Sequence, residues 1–337
     1  MISISSYYIT KLLVVDISEM VTDLWSQTRA LMLDGIRLNT KRTYKSGQKD
    51  YIQFCDMFKL PMLPASQEIL MMYATHLYRR KMHISTIKTY LFAVRHLHII
   101  NDCNSPLLDT PRLQLVLKYI QRNCEKSPDK LPITQVLLER MYNVLGSSHD
   151  EKLIWSAMTL GFFGLLRAAE FTVPSQTSFD PNIHLTFGDV SQRTLYNGAK
   201  FMSVKIKQSK TDVKCRGILV HIGCSEHKVC AVCAMATHLE GKTLDYAKPL
   251  FQFNNGSVLT RSLLVNHTRT YLALAGIDPE RFTGHSFRVG GATSAAEAGL
   301  SEWEIKLMGR WSSDCYHRYI KASIIKITSF ASRMIKQ

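Results

Sequence analysis

The sequence predicts an α+β protein, mostly α, in which an all-α domain is followed by a mixed α/β domain with a small antiparallel three-stranded sheet. Three observations predict it. From Met20 to about Asn123 apolar residues recur at spacings of three and four, and nothing there alternates as a strand does. The segment EKSPDKLPI, Glu125 to Ile133, then combines two prolines with charge and has no apolar period, the composition of a linker. Beyond it, strand-like runs flank Asn197-Gly198, a strong short-range hairpin signal, and a third such run follows.

Composition bounds the rest. With 337 residues, 46% of them hydrophobic, the chain has room for two domains with a full core each. A net charge of +15 on only 20% charged residues leaves acids scarce, which points to a polyanionic partner, nucleic acid ahead of an anionic membrane surface. The longest apolar run, Ala157 to Leu166, is too short to span a bilayer. The N-terminal segment has no basic stretch before its short apolar patch and makes a poor secretory signal, so an intracellular protein is expected. Eight irregularly spaced cysteines read as reduced thiols rather than a disulfide framework. Cys224, His227, Cys230 and Cys233 form a CxxHxxCxxC run of residues zinc accepts, but the spacing is tight for a zinc knuckle. Buried thiols are the favoured reading, and no metal or other cofactor is expected.

In chain order, an N-terminal extension (1–19) precedes a helical DNA-binding domain (20–124), with helices expected at Met20 to Leu33, Thr40 to Phe58, Ser66 to Lys81, Ser85 to Ile100 and Pro111 to Asn123. Prolines at 61, 64, 106 and 111 break them. On the second helix Lys41, Arg42, Lys45 and Lys49 line one side while Tyr44, Tyr51, Phe54 and Phe58 supply a packing side, so it can lie across a DNA backbone. Arg79, Arg80 and Lys81, then Lys88 and Arg95, form a second basic cluster. Any one cluster is as easily a solvated face; the global charge tips the balance toward DNA.

After the linker (125–133) the second domain is expected over 134–321. Helices are expected at Leu137 to Leu145 and Asp150 to Leu166, the latter apolar enough to be the buried centre. It delivers Arg167 and Glu170; an arginine directly after GFFGLL needs either an ion pair or a bound anion. Strands are expected at Asp189 to Tyr196, Phe201 to Gln208 and Cys215 to Ile222, with Lys210 in the SKTD turn between the second and third. Helices at Cys230 to Leu239 and Leu263 to Ala275 follow. His285 and Arg288 stand three apart at the start of an alanine-rich helix, where a phosphate is welcome. Gly299 ends that helix, Ser301 with Glu304 forms a capping box opening the next, and Gly309 closes it. Ser312, Ser313 and Asp314 offer the N-cap of a third helix carrying Tyr316 and Tyr319 on one face. The last segment, 322–337, reads as an amphipathic tail helix.

Taken in order, LLRAAE, SKTD, GHSFR, GRW and YIK eight residues after the tryptophan resemble the tyrosine recombinases, or phage integrases. The details are Cre-like, and HSFR and GRW followed by a tyrosine-isoleucine pair look closest to the recombinases of eukaryotic Crypton and DIRS-type mobile elements. NTKRTYKSGQKDYIQFC is similar to the first long helix of that family's SAM-like core-binding domain. The resemblance spans about Met20 to Lys321. It implies a site-specific enzyme that cuts and rejoins DNA through a covalent 3′-phosphotyrosine, acting as a dimer on one site and a tetramer in synapsis. Arg167 and Arg288 would hold the phosphate oxygens, Lys210 would protonate the leaving 5′ oxygen, and His285 would handle the tyrosine proton or hold an oxygen. Trp311 would donate where relatives often have histidine, Glu170 would orient Arg167 or His285, and Tyr319, ahead of Tyr316, would be the nucleophile. Nuclear localisation follows from the DNA substrate and the eukaryotic likeness. A domesticated DNA-binding relic and a type IB topoisomerase are the alternatives.

Overall fold

A computed structural model describes residues 17–104, 108–125, 129–209, 212, 216–242, 245–318 and 320. The chain divides into two compact units, 1–127 and 128–337.

In the first unit the helices are α1 (Ile17–Asp34), α2 (Leu38–Phe58), α3 (Gln67–Arg79), α4 (Ile84–Ile100) and α5 (Pro111–Asn123). Their starts follow local chemistry: Ser66 accepts the Ile69 N–H at the head of α3, and α5 opens on a proline, which has no N–H to leave unsatisfied. The core is aromatic and aliphatic, with Tyr51, Phe54, Leu70, Tyr73, Leu77, Ile87, Leu91 and Leu113 closed to solvent. Each such side chain contributes roughly 1.5–3 kcal/mol through burial. Close approach of α2 to α4 depends on Gly47, where a Cβ would stand 2.9 Å from that of Ala93. The Tyr73 hydroxyl caps the arrangement by donating to Asp50 at 3.0 Å.

The second unit is built around α7 (His149–Phe163), preceded by α6 (Gln135–Asn143). Ser148 and Glu151 form a capping box at the head of α7, and every side chain from Leu153 to Phe162 is buried. A helix covered on all sides has no polar face, which is why its sequence shows so little amphipathic period. The sheet, β1 (Val190–Thr194), β2 (Lys200–Ile206) and β3 (Ile218–Gly223), is antiparallel in the order β1-β2-β3, with Val190 opposite Val204 and Val204 opposite Val220. Met202, Val204 and Ile206 face the core at every second position. Between β1 and β2 the chain makes a turn closed by the Gly198 N–H on the Leu195 carbonyl, with Gly198 at φ +83°. This is a three-residue loop with a glycine bulge rather than a two-residue turn. Helices α8 (Ala168–Phe171), α9 (Ala231–Leu239), α10 (Arg261–Leu274), α11 (Ser286–Glu297) and α12 (Glu302–Gly309) complete the unit. Gly290 and Gly291 let α11 lie directly on backbone: a Cβ at 290 would meet the Ile133 carbonyl oxygen, and one at 291 that of Phe162.

The mostly helical fold with its small antiparallel sheet is the one expected, and the capping box at Ser301 is present, with the Glu304 carboxylate accepting the Ser301 N–H at 2.6 Å. Four details differ. The composition of 125–133 reads as linker, but Leu131 and Ile133 donate to the Arg281 and Ser286 carbonyls, and Ile133 is fully buried. Helix α7 stops at Phe163 rather than Leu166 because Leu165 adopts φ +44°. Strand β3 begins at Ile218, after Gly217 at φ +70°; the expected start at Cys215 lies outside the described residues. In place of a third helix after Trp311 there is a 3-10 turn, Asp314–Arg318. The tail 322–337 and most of the extension 1–19 lie outside the described residues. Among those described, no helix is long and apolar enough to cross a membrane.

Candidate active site and basic face

The turn that follows α7, Gly164 to Arg167, is the point on which the candidate site converges. Leu165 is buried and left-handed, a conformation that costs a non-glycine residue roughly 1–2 kcal/mol. Its effect is to present the Leu165 carbonyl to two arginines at once: Arg288 Nη1 donates to it, and Arg310 Nη2 donates to it at 3.3 Å. Arg310 also donates to the Gly164 carbonyl at 3.2 Å, and Arg288 to the Gly309 carbonyl at 2.7 Å. Strain of this kind, held in place by surrounding bonds, is characteristic of functional sites.

Glu170 binds the other side of the cluster. Its carboxylate accepts from Arg167 Nη1 at 2.8 Å, from the Arg167 backbone N–H at 2.9 Å, from Arg310 Nη2 at 3.0 Å and from the Ser209 hydroxyl at 3.1 Å. Burial pushes this carboxyl up, but Arg310 and Arg167 outweigh it and hold the pKa below its ordinary value. Glu170 thus bridges two arginines, Arg167 and Arg310. Three guanidiniums against one carboxylate leave the cluster with two positive charges, the electrostatic profile of an anion site.

The arginines differ in access. The Arg167 side chain is 22% exposed and Arg310 11%, while Arg288 is fully buried with its guanidinium 4.5 Å from the centre of the Trp311 ring. Arg288 donates to the Leu165 and Gly309 carbonyls, so its buried charge ties α11 to the turn after α7 and to the end of α12. His285 sits at the N-terminus of α11, half-buried, beside Gly284, whose Cβ position is 2.9 Å from Ala168. Burial first, then Arg288, Arg167 and Arg261, hold its pKa below the ordinary 6.5, so the imidazole is neutral at pH 7.

Trp311 is buried in a small cluster with Leu165, Ala292, Ala295, Ile305 and Tyr316. Tyr316 is closed to solvent, its ring centre 6.2 Å from that of Trp311, and burial with the Glu302 carboxylate pushes its phenol up to about 12. Tyr316 is thus packed within the Trp311 cluster. Lys210 and Tyr319 lie outside the described residues. Their sequence neighbours do not: Ser209 is bonded to Glu170 and Arg167, and Ile320 packs against the Trp311 cluster.

Arg310 is the residue that sequence reasoning misses. It follows α12 at φ +57°, a helix-ending position usually given to glycine, with the Trp311 N–H returning to the Lys306 carbonyl at 3.0 Å. A signal for it exists, since an arginine between Gly309 and Trp311 sits where a helix must end. Ser209 likewise reads from sequence only as part of a turn.

In the first unit Arg42, Lys45, Lys49, Arg79, Lys88 and Arg95 are exposed. Arg80 is paired with Asp50 at 2.7 Å, and Lys41 with Asp34. Those two are therefore partly neutralised, whereas Arg42, Lys45, Lys49 and Arg95 have no carboxylate partner among the described residues. Of the four residues in the Cys/His run, the Cys224, Cys230 and Cys233 sulfurs lie within 4.8 Å of one another and His227 stands outside them.

No family model matches the chain. It is 25% identical over 311 residues to an integrase/recombinase XerD homolog of Selenomonas ruminantium, an alignment covering 88% of this chain and 85% of that protein. Among solved structures it superposes on the Tn1549 transposon integrase in complex with circular intermediate DNA, with a TM-score of 0.55 and 15% identity over 90% of this chain and 98% of that one. A lambda integrase dimer bound to a COC′ core site gives 0.56 and 14% over 90% and 99%. The chain has the fold of the tyrosine recombinases. A third structure of this recombinase fold, XerH bound to palindromic difH substrate in a post-cleavage complex, gives 0.54 and 17% over 80% of this chain and 70% of that one.

Proposed function

We propose that the protein is a site-specific tyrosine recombinase of a mobile element, of the Crypton and DIRS type, cutting and rejoining double-stranded DNA through a 3′-phosphotyrosine at Tyr319. One observation carries the reading: Arg167, Arg288 and Arg310, from three separate stretches of sequence, meet at the Gly164 to Arg167 turn with Glu170 and with His285 beside them. Displacement at a phosphodiester raises negative charge on the nonbridging oxygens, and fixed guanidiniums lower that barrier without needing to titrate. Arg167, the most open of the three, meets the phosphate first; Arg288 and Arg310 set the field around it.

In the first step the Tyr319 oxygen bonds to phosphorus as the 5′ oxygen leaves, and Lys210 supplies the proton that leaving oxygen takes up. Neutral His285 accepts the phenol proton or holds a phosphate oxygen. Trp311 donates through its indole N–H and cannot exchange protons at the phosphate. Attack by a 5′ hydroxyl reverses the chemistry and conserves the bond energy. The basic residues of the first unit hold the DNA backbone, with a dimer on each site, a tetramer in synapsis and action in the nucleus.

The test is a nicked duplex carrying the repeats that flank the gene, incubated with the full chain and denatured. A protein–DNA adduct is expected from wild type and from Tyr316→Phe, and none from Tyr319→Phe. An adduct that survives in Tyr319→Phe overturns the nucleophile assignment. Binding without any adduct in wild type favours a DNA-binding relic, and equal relaxation of arbitrary plasmids favours a topoisomerase.

A further inference from the structure

Between β3 and α9, away from the arginine cluster in sequence, the chain brings three thiols together. The Cys224 sulfur is 3.6 Å from that of Cys230 and 3.6 Å from that of Cys233, and all three lie within 4.8 Å of one another. Thiolates on tetrahedral zinc, each about 2.3 Å from the metal, stand about 3.8 Å apart. The two 3.6 Å separations are close to that edge, far from the roughly 2.05 Å of a disulfide.

The backbone around them is shaped to the sulfurs. Cys230 is the N-cap of α9, and its sulfur accepts the Ser225 N–H at 3.4 Å and the Cys233 N–H at 3.5 Å. Amide donors aimed at sulfur support a thiolate, as the groups behind a metal ligand do. The connecting knuckle is folded tightly: Glu226 is left-handed at φ +53°, and the Ser225 hydroxyl donates to the Val229 carbonyl at 3.2 Å. His227, exposed, uses Nδ1 to accept the Val229 N–H at 3.2 Å and so shapes the knuckle instead of joining the cluster. Cys230 is buried, Cys224 half-buried and Cys233 exposed, so the triad has a closed floor and one side open to solvent.

We propose that Cys224, Cys230 and Cys233 form a zinc site, with solvent in the fourth position. Loading the ion converts the thiols to thiolates, their protons passing to solvent, and no electron is transferred. The metal clips the end of β3 to the first turn of α9, and so anchors the strand that follows the SKTD turn. The sequence reading of buried thiols rests on CxxHxxCxxC being too tight for a usual knuckle. The proposed site takes only three of the four residues, Cys224, Cys230 and Cys233.

The test is independent of strand transfer. The full chain is purified under reducing conditions, supplied with zinc, desalted and assayed for metal, then exchanged with cobalt(II). About one zinc per chain is expected, with the thiolate charge-transfer and visible bands of tetrahedral cobalt. Cys224→Ser, Cys230→Ser and Cys233→Ser each lose metal and bands, while Cys103→Ser and His227→Asn, which keeps an acceptor for the Val229 N–H, keep them. Binding at background level in folded wild type, or bands unchanged in Cys233→Ser, overturns the site. So does a Cys224–Cys230 disulfide that persists in protein purified under reducing conditions, and loss of the bands in His227→Asn overturns the three-cysteine ligand set.

Discussion

The two units use positive charge in opposite ways. At the turn after α7 each arginine is fixed by carbonyls or by Glu170, and Arg288 and Arg310 are largely shielded from water while Arg167 is partly open. On α2 and α4 the basic side chains Arg42, Lys45, Lys49, Lys88 and Arg95 stand in solvent. Buried charge is expensive and tolerates one arrangement only; exposed charge is inexpensive and nearly interchangeable. Substitutions should therefore be severe and specific in the second unit, and mild and additive in the first.

The sharpest break is Glu170→Gln. It leaves Arg167 and Arg310 without their anion, and denaturant unfolding is expected to show a loss of about 3 kcal/mol, the scale for one partner of a buried pair. The folded pKa of Glu170 is depressed, so its contribution is full above the ordinary 4.5 and is lost as pH falls through the lower folded value. Wild type should lose stability across that window and Glu170→Gln should lose less; parallel curves would mean the pair is not the acid-sensitive element.

Arg167→Ala comes next. With the fold retained, single-turnover cleavage is expected to fall by about 100-fold to 1000-fold, the usual effect of deleting one group that stabilises transition-state charge. DNA affinity should change little. A drop in affinity with an unchanged cleavage rate would place Arg167 with the backbone-holding residues instead.

His285 gives a pH signature of smaller size. Its folded pKa lies below 6.5, so the unfolded chain binds the proton more readily and stability falls as pH drops through 6.5. His285→Ala removes that part of the profile. The neutral imidazole should also sustain cleavage to below pH 6.5, and an acid limb centred above that value contradicts the assignment.

The smallest effect is expected on the exposed face. Lys45→Ala or Lys49→Ala should weaken DNA binding a few-fold and lower the slope of log affinity against log salt by about 0.9 for each phosphate that is no longer neutralised. Abolition of binding by either change alone would reveal a specific role where interchangeable charge is expected.

Much of this architecture is legible in the sequence because periodicity and turn chemistry are local. Asn197-Gly198 announces the hairpin, Ser301 with Glu304 announces α12, and GFFGLL announces a buried central helix. What stays hidden depends on distant partners. No local pattern shows that Leu165 takes a left-handed conformation to share its carbonyl between Arg288 and Arg310, or that Arg310 returns to Glu170. Leu131 and Ile133 look like linker because their hydrogen-bond partners lie about 150 residues away. Motif order locates Arg167, His285 and Arg288, but only coordinates separate an accessible arginine from a buried one.

The packing at Gly290 has a mechanical side. With no room for even a methyl group between α11 and the Ile133 backbone, and with Ile133 also bonded to Ser286, the segment 131–133 and the helix of Arg288 shift as one body. Tension entering this unit through segment 131–133 is thus delivered straight to the helix whose arginine grips the Leu165 carbonyl, with no slack to absorb it.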